Sequence, residues 1–303
     1  MLDREHEGQP KRSRGRLIRA VTRPPFHDPL CRKPWLERIA RAGPHLVRRI
    51  SLNIPGWPQW SRGLKVAFLS DFHTGSHSGD VARLERIVEE ARTFNPDLVL
   101  FGGDFVNLQL FGGGRVPPQV IAAVLERLGA PYGRFAVLGN HDYIYGAEDI
   151  AAALHRHGIA VLDHERRAVA FENANFDILG IPDARVQGPR SREVLSALSP
   201  TRPTIVLAHD PVWFADVPAG PHLTLAGHTH GGQVRLPVLG VVKNSSEAPL
   251  RWSHGLIFER GQYLYVTSGI GTSIVPWRWR VPPEIVALEV TGTSTEPFGM
   301  GPR

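Results

Sequence analysis

Cysteine is almost absent from this 303-residue chain, where Cys31 stands alone. That excludes an intrachain disulfide and a thiolate metal cage, and leaves carboxylate and imidazole as ligands for any bound cation. Long apolar runs are absent too. No stretch of 18 uninterrupted apolar residues occurs, so nothing reads as a membrane span. The opening Met-Leu-Asp-Arg-Glu-His-Glu lacks the apolar core of a secretory signal, and no hydrophobic stretch follows Arg12 and Arg14 to make an export signal. Cytoplasmic residence is expected, including a peripheral position at the inner membrane surface. Internal repeats are missing as well. What the chain does have is 42% hydrophobic residues, enough for a sizeable core, with 31 Gly and 26 Pro that favour a loop-rich fold over a helical bundle.

Positive charge is concentrated at one end. Residues 1–50 hold thirteen Lys/Arg against five Asp/Glu, whereas the rest of the chain holds 22 against 24. The net charge of +6 is therefore an N-terminal property. Residues 1–33, with Pro10, Pro24, Pro25 and Pro29, read as a basic disordered arm. Residues 34–60 read as a basic amphipathic segment. In it Trp35, Leu36, Ile39, Leu46, Val47 and Ile50 alternate with Arg38, Arg41, Arg48 and Arg49, interrupted at Gly43-Pro44. This segment either lies on an anionic membrane surface or packs on the main domain. Nucleic acid is a less favoured partner, because the main domain is slightly acidic. The main domain is expected over 61–293, with a tail over 294–303.

From Lys65 the pattern alternates between strand and helix. Lys65–Ser70, Asp97–Phe101 and Phe135–Leu138 read as buried strands, and 80–93, 117–128 and 147–156 as the helices between and after them. This βαβαβ run predicts a parallel sheet with right-handed crossovers. Ile159–Leu162, Ala168–Phe171 and Phe176–Leu179 are closely spaced and expected to pair antiparallel. Thr204–Ala208, Leu223–Ala226, Gln262–Val266 and Glu284–Val290 are further strands. The fold class is α/β, a four-layer α-β-β-α sandwich of two mixed sheets flanked by helices.

Five short motifs follow apolar runs: Asp71-Phe72-His73, Gly103-Asp104, Gly139-Asn140-His141-Asp142, His209, and Gly227-His228-Thr229-His230. Loops at strand ends are where α/β sheets gather ligand sites. In an extended segment, residues i and i+2 point the same way, so Asp71 with His73, and His228 with His230, suit a shared cation. Asp104 follows two glycines that let the backbone turn, and its carboxylate suits a bridge between two metals. Asn140 offers a neutral oxygen. Each motif alone is commonly a turn. Their coincidence in order and ligand type is what points to metal chemistry.

In these residues the chain resembles the calcineurin-like metallophosphoesterases. Gly227–Val234 and Gly269–Thr272 are similar to the bacterial YkuE/YaeI-like branch. The resemblance covers about 64–290. It implies one cation held by Asp71, His73, Asp104 and His230, and a second held by Asp104, Asn140, His209 and His228. The two divalent ions would be Mn, Fe or Zn, and would present a hydroxide that attacks phosphorus. His141 would be the catalytic residue beside them. One departure stands out: many relatives carry an aspartate three residues after the bridging one, paired with the catalytic histidine, and here that position is Asn107. An amide stabilises an imidazolium less than a carboxylate does, so a preference for good leaving groups is expected.

Arg278 and Arg280, between and after Trp277 and Trp279, are candidates for substrate phosphate, with acyl chains on the tryptophans; the alternative is a surface strand with alternating faces. His77 and His254 are read as exposed histidines, and Glu284 as a strand residue without a role. The implied activity is hydrolysis of a phosphodiester or pyrophosphate, including a nucleotide-linked lipid such as UDP-2,3-diacylglucosamine. The alternatives are a nuclease or cyclic-nucleotide phosphodiesterase, and a metal-bound protein scaffold without chemistry.

Overall fold

The structure is a computed structural model that describes residues 43–77, 79–108, 115–184, 188–237, 240–241, 243–274 and 277–293. The expected arm (1–33), the start of the amphipathic segment and the tail (294–303) lie outside the described residues. The chain runs β1 (Leu46–Pro55), β2 (Leu64–Leu69), α1 (Asp80–Arg92), β3 (Leu98–Phe101), α2 (Pro118–Glu126), β4 (Arg134–Ala136), α3 (Asn140–Tyr145), α4 (Ala147–Arg156) and β5 (Ala160–Val161). It continues through β6 (Arg166–Phe171), β7 (Ala174–Ile181), α5 (Gly188–Ser196), β8 (Thr204–Ala208), β9 (His222–Ala226), β10 (Arg235–Leu236), β11 (Gly240–Val241), β12 (Gly255–Glu259), β13 (Gln262–Val266) and β14 (Glu284–Thr293).

Two six-stranded sheets face each other, ordered β1-β14-β2-β3-β4-β5 and β12-β13-β9-β8-β7-β6. Both are mixed. In the first, β2, β3, β4 and β5 run parallel and β14 antiparallel to β2. In the second, β7, β8, β9 and β13 run parallel, with antiparallel strands at both edges. The period-2 pattern of β2 shows why they stack. Val66 and Phe68 enter the core between the sheets with Ile205, Leu207 and Leu223, while Ala67 and Leu69 face the helices. Helix α1 buries Leu84, Ile87, Val88 and Ala91, one face at i, i+3, i+4, i+7 spacing. It starts with Asp80 and ends with Arg92, which suits the helix dipole. Across the second sheet, Leu195 of α5 and Trp213 of a 3-10 turn cover Leu179, Ile181 and Val206. The four layers are thus those expected, the second helical layer being the thinner. No helix among the described residues is long and apolar enough to cross a membrane.

One expectation is corrected. Ala160–Val161 does not join an antiparallel group; it extends the first sheet parallel to β4, and of the three segments expected to pair only the other two, β6 and β7, do so. The segment 34–60, read as a basic amphipathic stretch that either lies on a membrane surface or packs on the main domain, does pack there: from Leu46 it is a ten-residue edge strand parallel to β14. Its period is 2, not 3.6: Ile50, Leu52 and Ile54 turn inward while Arg49, Ser51 and Asn53 stay exposed. Trp57 and Trp60 then insert into the core between the sheets. Trp57 packs on Phe176, and Trp60 meets Phe171 edge to face at 4.9 Å between centroids.

Candidate metal centre

The C-terminal ends of β2, β3 and β4 from one sheet, and of β8 and β9 from the other, open onto one end of the sandwich. Their loops are laced together by backbone bonds. Asp71 N–H donates to Gly103 O (2.9 Å), His73 N–H to Asp104 O (2.9 Å) and Gly227 N–H to His209 O (3.0 Å). Asp142 adds side-chain stitches, its carboxylate accepting from the backbone N–H groups of Asp104, Phe105 and Gly139 at 2.8 to 3.0 Å. At Gly139 a side chain is impossible, because a Cβ would collide with the carboxylate of Asp104.

All seven expected ligand side chains converge. Nε2 of His73 and Nε2 of His230 are 3.0 Å apart, with Asp71 Oδ1 3.6 Å from His230 Nε2. Nε2 of His209 lies 3.1 Å from Nδ1 of His228 and 3.3 Å from Asn140 Oδ1. Between the two groups sits one atom, Asp104 Oδ2, 3.5 Å from His73 Nε2 and 3.6 Å from His209 Nε2. Asp71, His73, Asp104, His209, His228 and His230 are all buried.

The route to this convergence differs from the expected one. Asp71 and His73 are not in an extended segment; their φ angles are 54° and 41°, and those of Asp104, His228 and His230 are 55°, 68° and 51°. Five of the seven expected ligand positions therefore hold a left-handed backbone that non-glycine residues adopt at a cost of roughly 1–3 kcal/mol each. Such strain persists only where the surroundings over-determine it.

Hydrogen bonds fix the tautomers. His209 Nδ1 faces Gly102 O (2.7 Å) and His228 Nε2 faces Ser245 O (3.0 Å). A carbonyl only accepts, so both nitrogens carry the proton. In the neutral rings the remaining nitrogens, His209 Nε2 and His228 Nδ1, then point lone pairs at each other. That is the arrangement a ligating histidine needs, with the outer nitrogen bonded and the inner one free for a cation.

The local electrostatics ask for positive charge. Burial pushes the carboxyls of Asp71 and Asp104 up, Asp104 well up. Burial also raises Asp142, to about 6. Burial holds His73 and His230 well below the usual imidazole range, reinforced by neighbouring His141 and Arg278 respectively. His228 is lowered by burial and by His209. Burial opposes charge on His209 as well, but Asp104, Asp71 and Asp183 outweigh it and raise the imidazole to about 9. A proton there occupies the gap between His209 and His228, where a divalent cation supplies more charge. The donor set of carboxylate, imidazole and amide oxygen suits borderline divalent ions, so these residues fit the implied metals.

A cleft of about 550 Å³ opens over the cluster, lined by Asp104, Asn140, His141, His228 and His230 together with Gln233, Lys243, Asn244, Ser245 and Ser273. His141 is half-buried. Its N–H donates to Asp104 Oδ1 (2.9 Å), its ring meets His73 edge to face at 4.5 Å, and its Nε2 lies 3.5 Å from Ser273 Oγ. Asn107 is buried after Val106, which bridges to Thr74.

Other candidates fall elsewhere. The Arg278 guanidinium is turned inward, donating to Ser268 O (2.7 Å) and Gly271 O (2.9 Å). Arg280 is exposed beside Arg235, Leu236 and Gly240 in a separate shallow pocket. His77 is buried next to Asp80, not exposed. His254 reaches the buried carboxylate of Glu284 (3.2 Å), which also accepts from Tyr265 Oη (3.0 Å) and Ser268 N–H (3.2 Å), so Glu284 ties β13 and β14 together. Sequence reasoning missed Asp183 and Asp210, which form a buried acidic group with His228. Asp183 lies just past the end of β7, and the strand-end rule that found the other motifs would have found it had β7 been read as parallel to β8.

Residues 64–232 match the calcineurin-like phosphoesterase family. Among individual relatives, the metallophosphoesterase YkuE of Bacillus subtilis is 27% identical over 83% of this chain and 88% of its own length. The phosphodiesterase YaeI of Escherichia coli is 31% identical over 75% of this chain and 82% of its own. A Helicobacter pylori metallophosphoesterase is 31% identical over 75% of this chain and 60% of its own. With the motifs and their convergence, these matches identify the chain as a member of the calcineurin-like phosphoesterase family, a metal-dependent phosphoesterase.

Proposed function

We propose that the chain hydrolyses a phosphodiester or pyrophosphate bond at a pair of divalent cations, and that its substrate phosphate is carried by a membrane-associated molecule such as a nucleotide-linked lipid. The observation that carries the two-cation reading is the facing pair His209 Nε2 and His228 Nδ1, 3.1 Å apart with both outer nitrogens committed to carbonyls. Asp104 Oδ2, almost equidistant from the two ligand groups, supports a shared carboxylate. The E. coli relative bears the name phosphodiesterase, which favours a diester.

Asp71, His73, Asp104 and His230 would hold one ion, and Asp104, Asn140, His209 and His228 the other. When bound, the ions would neutralise phosphoryl oxygens and lower the pKa of a water between them. The chain supplies the rest. Asp104 uses Oδ1 to hold the His141 backbone, so the residue that holds the cations also positions the catalytic histidine. His141 presents Nε2 to the cleft, where it can hand a proton to the leaving oxygen or donate a hydrogen bond to the developing charge. Lys243 and Asn244, which also line the cleft, offer donors to the non-reacting phosphate oxygens.

The test is a substrate panel on metal-depleted protein refilled with Mn²⁺: aryl diesters, aryl monoesters, nucleotides, pyrophosphate and UDP-linked lipids. Diester or pyrophosphate turnover is expected, lost in His141→Ala while two Mn²⁺ per chain remain. A chain that binds Mn²⁺ and turns over none of the panel is a scaffold, and the reading fails.

A further inference from the structure

The rim of the cleft carries large apolar side chains that the fold leaves in water. Ile274, Trp277 and Trp279 are 61%, 44% and 50% exposed. Backbone pairing ties the segment that carries them to Gln233 and Val234 of the cleft lining. Trp279 bridges Val234, its N–H donating to Gln233 O (3.1 Å), and Arg235 N–H donates to Trp279 O (3.0 Å). The Gln233 side chain ties in the remainder, donating to Trp277 O (3.1 Å) and accepting from Ser273 N–H (2.8 Å). Ile274 also lines the cleft. Its φ is 67°, a left-handed backbone that is a genuine outlier for a β-branched residue. Strain and apolar exposure thus fall on the same residue at the mouth of the site.

The charge of this rim is one-sided. Arg235, Lys243 and Arg280 are exposed, and neither 233–246 nor 273–283 contains an Asp or Glu. Elsewhere beyond residue 50 acidic residues slightly outnumber basic ones. Tryptophans at headgroup depth flanked by cations against phosphates are the chemistry of an anionic lipid surface. We propose that this rim seats the cleft on an anionic phospholipid surface, Ile274, Trp277 and Trp279 entering the headgroup layer and Arg235 and Arg280 meeting lipid phosphates. The mouth of the cleft then faces the bilayer, and a lipid-borne phosphate reaches the cations without leaving the interface. The proposal rests on the reading of a membrane-associated substrate, and the two fail separately.

The test uses the full chain with vesicles of phosphatidylcholine alone or mixed with phosphatidylglycerol. Sedimentation should show binding to the mixed vesicles and little to phosphatidylcholine. Binding should fall about tenfold or more in Trp277→Ser with Trp279→Ser, and by a similar factor in Arg235→Gln with Arg280→Gln. Turnover of a soluble aryl diester should stay unchanged in the double Trp variant. In the conservative pair Trp277→Phe with Trp279→Phe, binding should persist while quenching of tryptophan fluorescence by brominated lipid is lost. If the double Ser variant binds mixed vesicles as tightly as the parent, docking belongs to another part of the chain and the rim is overturned. Equal binding to both vesicle types, or to neither, overturns it as well. Aryl-diester turnover without vesicle binding leaves the diesterase standing; vesicle binding without any turnover does the reverse.

Discussion

The guanidinium of Arg278 lies 3.2 Å from Nδ1 of His230, its other donors spent on the carbonyls of Ser268 and Gly271. Burial pulls its pKa down to about 9 against the attraction of Asp71. The side chain therefore braces the loop after β13 against the one that carries His230, rather than reaching for substrate. Replacing it with lysine keeps a charge but removes the planar fork that serves two carbonyls at once. Arg278→Lys should weaken Mn²⁺ binding about 10- to 100-fold, as loss of an outer support to a ligand commonly does. With Mn²⁺ saturating, KM should stay near its original value. Calorimetric Mn²⁺ titration beside steady-state kinetics checks this. A raised KM with unchanged Mn²⁺ affinity would return Arg278 to the role of phosphate binder.

His222, at the start of β9 and remote from the strand ends that form the cleft, is 1% exposed with neither ring nitrogen hydrogen-bonded. Burial, helped by Arg166, lowers its pKa to about 4. The folded pKa is below the unfolded value, so the unfolded chain takes up a proton first as pH falls. Stability linked to this group is complete above about pH 6.5 and is lost progressively down to about pH 4. His222→Leu should flatten that part of the stability profile. Urea midpoints of parent and variant at pH 8, 6 and 4.5 measure it, and parallel curves would exclude His222 as the source.

The convergence of the seven candidate side chains was legible because metal chemistry calls for particular side chains just past buried strands, and both kinds of signal survive in a linear sequence. What was not legible depended on partners far away. Ala160–Val161 reads like the strands that follow it, and only its neighbour β4 assigns it to the first sheet. Asp71 and His73 look like an extended pair, but the loop after β13 pulls them into a left-handed backbone, with Gly271 N–H bonded to Asp71 O. Arg278 and Arg280 look equivalent in Trp-Arg-Trp-Arg, yet one guanidinium is turned inward and the other is exposed. The segment around β1 read as basic and amphipathic because Arg38, Arg41, Arg48 and Arg49 alternate with apolar residues, whereas Ile50, Leu52 and Ile54 carry a period of 2.

That strand supplies its own prediction. β1 pairs with β14 along ten residues, from Leu46 opposite Glu284 to Pro55 opposite Thr293. Trp57 and Trp60 follow it into the core between the sheets. Truncation before residue 43 should leave the thermal transition in place. Truncation before residue 61 should abolish cooperative unfolding, because it exposes the edge of β14 and empties two tryptophan sites. Leu52→Ala, which removes one buried side chain, should cost about 2–4 kcal/mol. Calorimetry of the three proteins decides it; a cooperative transition in the shorter truncation would make β1 dispensable.

Asn107 is 1% exposed, three residues past Asp104, whose carboxylate lies between His73 and His209. The family resemblance implies that an aspartate at that place would pair with the histidine and favour its charged form. Asn107→Asp should therefore strengthen proton donation by His141 and raise kcat for diesters with poor leaving groups, with little change for p-nitrophenyl esters whose leaving group needs no proton. The same substitution buries a further carboxylate near Asp104 and Asp142, both already pushed up by burial. It should lower the melting temperature of the metal-depleted protein, and Mn²⁺ should restore most of the loss by binding only the folded state. A plot of log kcat against leaving-group pKa is the measurement. A shallower slope in the variant supports the role of the amide, and a parallel shift of the whole line sets it aside.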